Sequence, residues 1–151
     1  MHRIESMRKI RAAESDVRHL IWDIKAWSCF WEQIQAVDIL YDDGIHQDFI
    51  MSLSWQNRDS SIRTVRFRDQ NGNIHFFSPQ PPSPTTVHRG LWKLVASEDG
   101  TTALTAMRWF EMPIQEKENL ETHSQHLKTF SEDFQTRLET LLGRLGAVCE
   151  K

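Results

Sequence analysis

Three arginines crowd one short stretch, Arg63, Arg66 and Arg68, and Arg108 stands beside Trp109 and Phe110. A guanidinium stays charged at neutral pH and presents five N–H donors in a planar fork. Turned inward, such a group can hold an oxyanion or a carboxylate, but it cannot act as a general base. His123 and His126 are three apart, which puts them on one face of a helix. Imidazole titrates near neutral pH and can shuttle a proton. The spacing of Glu121, His123 and His126 has the look of a metal site, yet no further ligand cluster completes it, so no metal is expected. Ser28 and Cys29 have no base at nucleophile spacing, which argues against covalent catalysis. His46 and His88 read as ordinary surface residues of strands. Six Trp and eight Phe accompany a single Tyr. Trp27, Phe30, Trp31, Phe49, Met51, Trp55, Phe77 and Trp92 could wall a cavity for a planar ligand, or simply fill a core.

The elements that would position these groups follow from periodicity. Residues 2–11 alternate as a first strand. Ser15 or Asp16 can cap a helix in which Val17, Leu20, Ile21 and Ile24 repeat at helical spacing. An aromatic turn, Trp27 to Trp31, leads to a short helix or turn through Ile34. Strands follow over Val37–Tyr41, His46–Trp55, Ser61–Arg68 and Ile74–Ser78. They are separated by Asp42-Asp43-Gly44, by Gln56 to Asp59, and by a turn containing Asn71-Gly72. Along the third of these strands, Arg66 and Arg68 share a face with Ile62 and Thr64, and Arg63 with Val65 and Phe67. Polarity alone would turn Val65 and Phe67 inward. Four prolines between Pro79 and Pro84 read as a rigid loop. His88–Val95 and Thr101–Phe110 form a last hairpin. From Gln115 the period changes, and Leu120, Leu127, Phe130, Phe134, Leu138, Leu141 and Leu145 make one apolar stripe along a helix of about 28 residues, roughly 42 Å long.

The whole is 151 residues, the size of one domain, taken as residues 1–151. A net charge of −3 argues against nucleic-acid binding through phosphates. No apolar run reaches the ~20 residues of a spanning helix, and the N-terminus has no secretory signal. Cys29, among aromatics, reads as a small buried hydrophobe, and Cys149 as a free thiol. Two cysteines and no disulfide framework fit a reducing cytoplasm. The fold class is α+β: a seven-stranded antiparallel sheet curved around a long C-terminal helix, with two short helices after the first strand and a hydrophobic cavity between sheet and helix.

The order of these segments resembles the START-like, helix-grip superfamily, and within it the polyketide cyclase/dehydrase group that includes bacterial aromatase/cyclases. The resemblance covers nearly the whole chain. It is carried by Ala12-Ala13 with the helix after it, by Trp27 to Leu40, and by Thr64-Val65-Arg66-Phe67-Arg68-Asp69. His88-Arg89-Gly90-Leu91-Trp92 and Gly100-Thr101-Thr102 complete it. The proline usual before the first helix is absent. The resemblance implies aldol cyclisation and dehydration of a poly-β-ketone brought by an acyl carrier protein, without a cofactor. It turns Arg66 into the cavity, where it would hold an enolate or aldol oxyanion. Arg108 stands where relatives carry a histidine, and His126 where they carry an acidic residue, so these two join Arg66 as implied catalytic groups. Thr64, His123 and Phe130 join the aromatic residues named above as implied substrate contacts. The alternatives are a non-catalytic carrier of a lipid, quinone or isoprenoid, and an interaction module with a filled interior. A monomer or a homodimer fits either enzyme or carrier.

Overall fold

Alternating apolar residues force these segments into strands with one face turned to a helix, and the computed structural model of the chain shows the arrangement. It describes residues 1–55 and 57–151. Gln56 of the expected turn and the side chain of Trp55, expected on the cavity wall, lie outside the described residues. The elements in chain order are β1 (His2–Ile10), α1 (Glu14–Trp22), a 3₁₀ helix (Ile24–Cys29), β2 (Ile34–Asp42) and β3 (His46–Trp55). After them come β4 (Arg58–Arg68), β5 (Ile74–Gln80), β6 (Val87–Ala96), β7 (Thr102–Glu111) and α2 (Leu120–Cys149). The seven strands form one sheet in the order β1-β7-β6-β5-β4-β3-β2, with every neighbouring pair antiparallel.

Several boundaries differ from the expectation for local reasons. α1 begins earlier than expected, from Ala13, with no side-chain cap, so Glu14 and Asp16 supply first-turn negative charge instead. Ile24 opens the 3₁₀ helix and does not close α1. β2 begins at Ile34, and Arg58 and Asp59 belong to β4. The proline run does not end β5 at Ser78. Val65 opposes Phe77 but Arg63 opposes Gln80, so β5 carries one extra residue there. Its pairing with β6 stops at Phe77 and Arg89. Pro79 therefore sits in a bulge beside an unpaired edge, where its missing N–H costs no ladder bond.

The core lies between the concave face and the helices. Ile10, Val17, Ile21, Ile74, Leu104, Phe110 and Leu145 are fully enclosed. In α2 the buried residues are Leu138, Leu142, Leu145 and Gly146, all in its C-terminal half, where the helix packs on β1 and α1. Leu127, Phe130 and Phe134 are only partly covered, and Leu120 is 78% exposed. Asn119 caps the helix by accepting the Thr122 N–H at 2.8 Å. Cys29 is exposed, contrary to the buried reading, because the 3₁₀ helix turns Ile24 and Trp27 inward instead.

Candidate functional site

The strand register places Gln47, Arg66, Phe76, Gly90 and Arg108 in one transverse row. Gln47 opposes Arg66, Arg66 opposes Phe76, Phe76 opposes Gly90, and Gly90 opposes Arg108. Five strands thus deliver two guanidiniums and an aromatic ring to the middle of the concave face. Gly90 is required there, because a Cβ on it would stand 2.3 Å from Phe76 Cε1 and 2.6 Å from the Met107 carbonyl. Arg66 and Arg108 are 2% and 6% exposed. Phe67 faces solvent, as does Phe77, at 43% and 52%. Polarity alone would have placed Phe67 inside, and Phe77 does not line the interior as expected.

The two arginines have different surroundings. Arg66 Nε donates to Gln47 Oε1 at 2.8 Å, Nη1 to the Ile21 carbonyl at 2.9 Å, and Nη2 to the Trp22 carbonyl at 2.9 Å. Gln47 Nε2 donates to the Trp22 carbonyl and to Asp42 Oδ2, each at 3.0 Å, and Trp22 Nε1 donates to Asp42 Oδ1 at 3.2 Å. The guanidinium lies 5.2 Å from the Trp22 and Phe49 rings alike. Arg66 therefore closes the C-terminal carbonyls of α1, where a cation also opposes the helix dipole. Burial lowers its pKa to about 9, against the pull of Asp42, so it remains a cation at neutral pH. Burial also acts to raise the pKa of Asp42, but the Gly44 N–H, Gln47, Trp22 and the charge of Arg66 bring the net value below the ordinary one.

Arg108 makes one hydrogen bond, from Nη1 to the carbonyl of its neighbour Met107 at 2.9 Å. Among the described residues the guanidinium makes no other hydrogen bond and pairs with no carboxylate, and its remaining nitrogens are not wholly cut off from solvent. The guanidinium is sandwiched between Phe76 and Trp92, 4.7 and 4.6 Å from their ring centres. Desolvated cation–π contacts of this kind contribute about 2 kcal/mol. Burial brings this pKa also to about 9.

Phe110, the next inward residue of β7 after Arg108, belongs to an aromatic cluster with α2. Phe110, Phe130 and Phe134 pack against one another at 5.3–5.7 Å. Phe130 also lines a pocket of about 190 Å³ formed by Pro84, Met112, Pro113, Gln115, Glu118 and His126. This pocket at the mouth is half open to solvent and is not the enclosed cavity expected between sheet and helix. His126 is not in the interior. Its side chain is 61% exposed and pairs with Glu118. His123, at 16%, is turned inward and its Nδ1 lies 3.1 Å from Glu118 Oε1. The Gln115 N–H, opposed by partial burial, and the two histidines hold Glu118 below the ordinary carboxylate range.

The other candidates divide. Trp27 is buried, donates to the Leu20 carbonyl at 3.0 Å and meets Trp92 edge-on at 5.9 Å. Phe49 and Trp92 are buried, and Phe30, Trp31 and Met51 are partly buried against the core. Thr64 opposes Phe49 across β3 and β4. Sequence reasoning missed Gln47, Phe76 and Ser78 and read His88 as a surface residue. His88 and Ser78 both face inward with buried polar atoms that have no hydrogen-bond partner. Alternation could have found His88, since Gly90 and Trp92 follow it at two and four residues. Among the described residues, no three His, Cys, Asp or Glu side chains are grouped as metal ligands, and no helix is long and apolar enough to cross a membrane.

No model of a known protein family matches the chain, and no curated protein matches it significantly. Solved structures do. TTHA0849 from Thermus thermophilus superposes with a TM-score of 0.80 at 16% identity, over 97% of this chain and 95% of that one. The Zhui aromatase/cyclase from a Streptomyces species gives 0.78 at 14% identity, over 95% and 93%. A START superfamily protein from Mycobacterium smegmatis gives 0.65 at 16% identity, over 93% and 99%. At such identities the likeness is one of fold.

Proposed function

We propose that this chain, which has the START-like helix-grip fold, binds a planar, oxygenated hydrophobic molecule between sheet and helix and acts as a polyketide aromatase/cyclase-like enzyme. The observation that supports this reading is Arg108, a buried cation between two aromatic faces with two nitrogens unpartnered. In an aldol closure an enolate carbon attacks a ketone carbon, and negative charge gathers on the ketone oxygen. A preorganised, desolvated guanidinium stabilises such charge as it develops. Loss of water then gives the ring. The substrate would be a poly-β-ketone, carried by an acyl carrier protein. Arg108 first, then Arg66, with the substrate contacts given by the resemblance other than solvent-facing Phe77, are the residues proposed for the site, and His126 would act only from the pocket it lines. Arg66 is committed to the α1 carbonyls and Gln47, so it acts as a positioning residue in this reading. A non-catalytic carrier is the second reading, favoured by the surface position of His126, which leaves no histidine poised for proton transfer at that place.

The test is a titration with planar polyphenols and with fatty acids, followed by tryptophan fluorescence, since Trp92 touches Arg108. Saturable quenching by polyphenols, weakened about tenfold or more in Arg108→Met, supports the site and leads to a cyclisation assay. Preference for fatty acids with no effect of Arg108→Met supports the carrier. Arg66→Met serves as the contrast. It strands the Ile21 carbonyl and the Gln47 side-chain oxygen and leaves the Trp22 carbonyl to Gln47 alone, and urea unfolding should show a loss of at least about 2 kcal/mol.

A further inference from the structure

Arg108 leaves a second buried polar group unexplained. His88 opposes Phe110 in the β6–β7 register and lies one inward position from Gly90, the partner of Arg108. Its ring stands 5.3 Å from Phe76 and 5.5 Å from Phe134. Neither Nδ1 nor Nε2 meets a protein partner, and both are buried. The Oγ of Ser78 is in the same condition. Ser78 shares the inward face of β5 with Phe76, just past the point where β5 and β6 stop pairing. Most buried polar atoms in native proteins are bonded, and an unbonded one is destabilising. Two such side chains, one of them a single inward position from the partner of Arg108 and the other on the inward face of the neighbouring strand, mark a place that a polar group from outside completes.

The charge around His88 fixes its form. Burial, then Arg108 from β7 and Arg137 from α2, disfavour the imidazolium. A neutral imidazole has one nitrogen that donates and one that accepts. It therefore suits a hydroxyl, or a keto oxygen next to one, and gives no electrostatic reward to an anion. Arg108 has the opposite preference. Phe134 and Phe130 connect this spot to the pocket at the mouth.

We infer that His88, with Ser78, is a specificity residue that hydrogen-bonds a neutral hydroxyl or keto oxygen of the ligand, next to the oxygen held by Arg108. The ligand class is a planar ring system with two neighbouring oxygen substituents. This rests on the reading that such a molecule enters between sheet and helix. A site built to bond an oxygen discriminates strongly against an analogue that lacks it, because its own polar atoms are left unpaired.

The test compares 1,8-dihydroxyanthraquinone with anthraquinone by tryptophan quenching, on wild type, His88→Phe and Ser78→Ala. Wild type should prefer the dihydroxy compound by about tenfold or more. His88→Phe should bring the two affinities within about threefold, mainly by losing the dihydroxy compound. Its Tm should be no lower than that of wild type, because the ring is replaced by one with nothing to satisfy. Ser78→Ala should reduce the preference partially. In parallel, the His88 ring nitrogen resonances of ¹⁵N-labelled wild type should move with the dihydroxy compound and not with anthraquinone, which needs no variant to fold. An unchanged preference in His88→Phe, or still resonances, overturns the inference. Equal binding of both compounds by wild type overturns it but leaves the interior-binding reading standing. Binding of neither overturns both.

Discussion

A single turn of one strand decides the chemistry of this interior. On β4 the apolar residues Val65 and Phe67 would claim the inner face by hydrophobicity, yet Arg66 takes it. Arg66 has somewhere to go: two helix carbonyls and Gln47 lie within 2.9 Å of its nitrogens. No count of apolar residues could show those partners, which come from α1 and β3. The resemblance pointed to the inward side, and the register then added Arg108, which composition left ambiguous. The residue scale also carries a pH prediction. Burial, Arg108 and Arg137 bring the pKa of His88 down to about 3, against an ordinary value of about 6.5. The unfolded chain takes up this proton below about pH 6.5 and the folded one does not until about 3. The stability tied to neutral His88 is thus complete above about 6.5 and is lost as pH falls from there toward about 3. Its slope can reach about 1.4 kcal/mol per pH unit. Asp99, lowered to about 2 by Thr101 and Lys9, and Asp43, held lower still by the His46 and Ile45 N–H groups, lose their contributions only below about pH 4, the unfolded carboxylate value. Urea unfolding between pH 6.5 and 5 should show the slope in wild type and lose most of it in His88→Phe.

At the scale of elements, alternation and period legibly give the strands and the long helix, and the misplacements have physical causes. Pro79 stays in β5 because a bulge and an unpaired edge tolerate it. The helix stripe is real, but its phase separates two histidines that spacing alone grouped. His123 precedes Leu127 by four residues and falls in line with Phe130 and Phe134. His126 lies about 100° round from Leu127 and reaches solvent. Two glycines make the contrast between elements testable. Gly90→Ala drives a Cβ into Phe76 and the Met107 carbonyl, and should cost about 1–3 kcal/mol or more while disturbing Trp92 fluorescence. Gly143 lies inside α2, and a Cβ there meets only Arg8 Nη1 at an ordinary 3.7 Å. Gly143→Ala should therefore stabilise by about 0.5–1 kcal/mol. Denaturant midpoints of the two variants should move in opposite directions.

At the scale of the molecule, the sheet grips α2 unevenly. The fully buried helix residues, Leu138, Leu142 and Leu145, lie toward its C-terminus, and the first turns rest on partly covered Leu127 and Phe130. The pocket of about 190 Å³ at that end is smaller than the ~300 Å³ of a typical ligand site. In the proposed binding mode a ligand moves those first turns. Hydrogen exchange should accordingly run about tenfold faster or more over residues 122–130 than over 138–146, with a bound polyphenol slowing the first group. Equal exchange in both halves would exclude this entry route. By itself the sequence determined the antiparallel strands, the amphipathic helix that must cover them and the supply of aromatic rings, because each follows from local period and composition. Which arginine is spent on the fold and which has no counter-ion, that the His88 ring nitrogens are buried, and that His126 is outside were decided only by the tertiary structure. Those outcomes depend on partners brought from distant strands and from α1, and on the phase at which the helix meets the sheet.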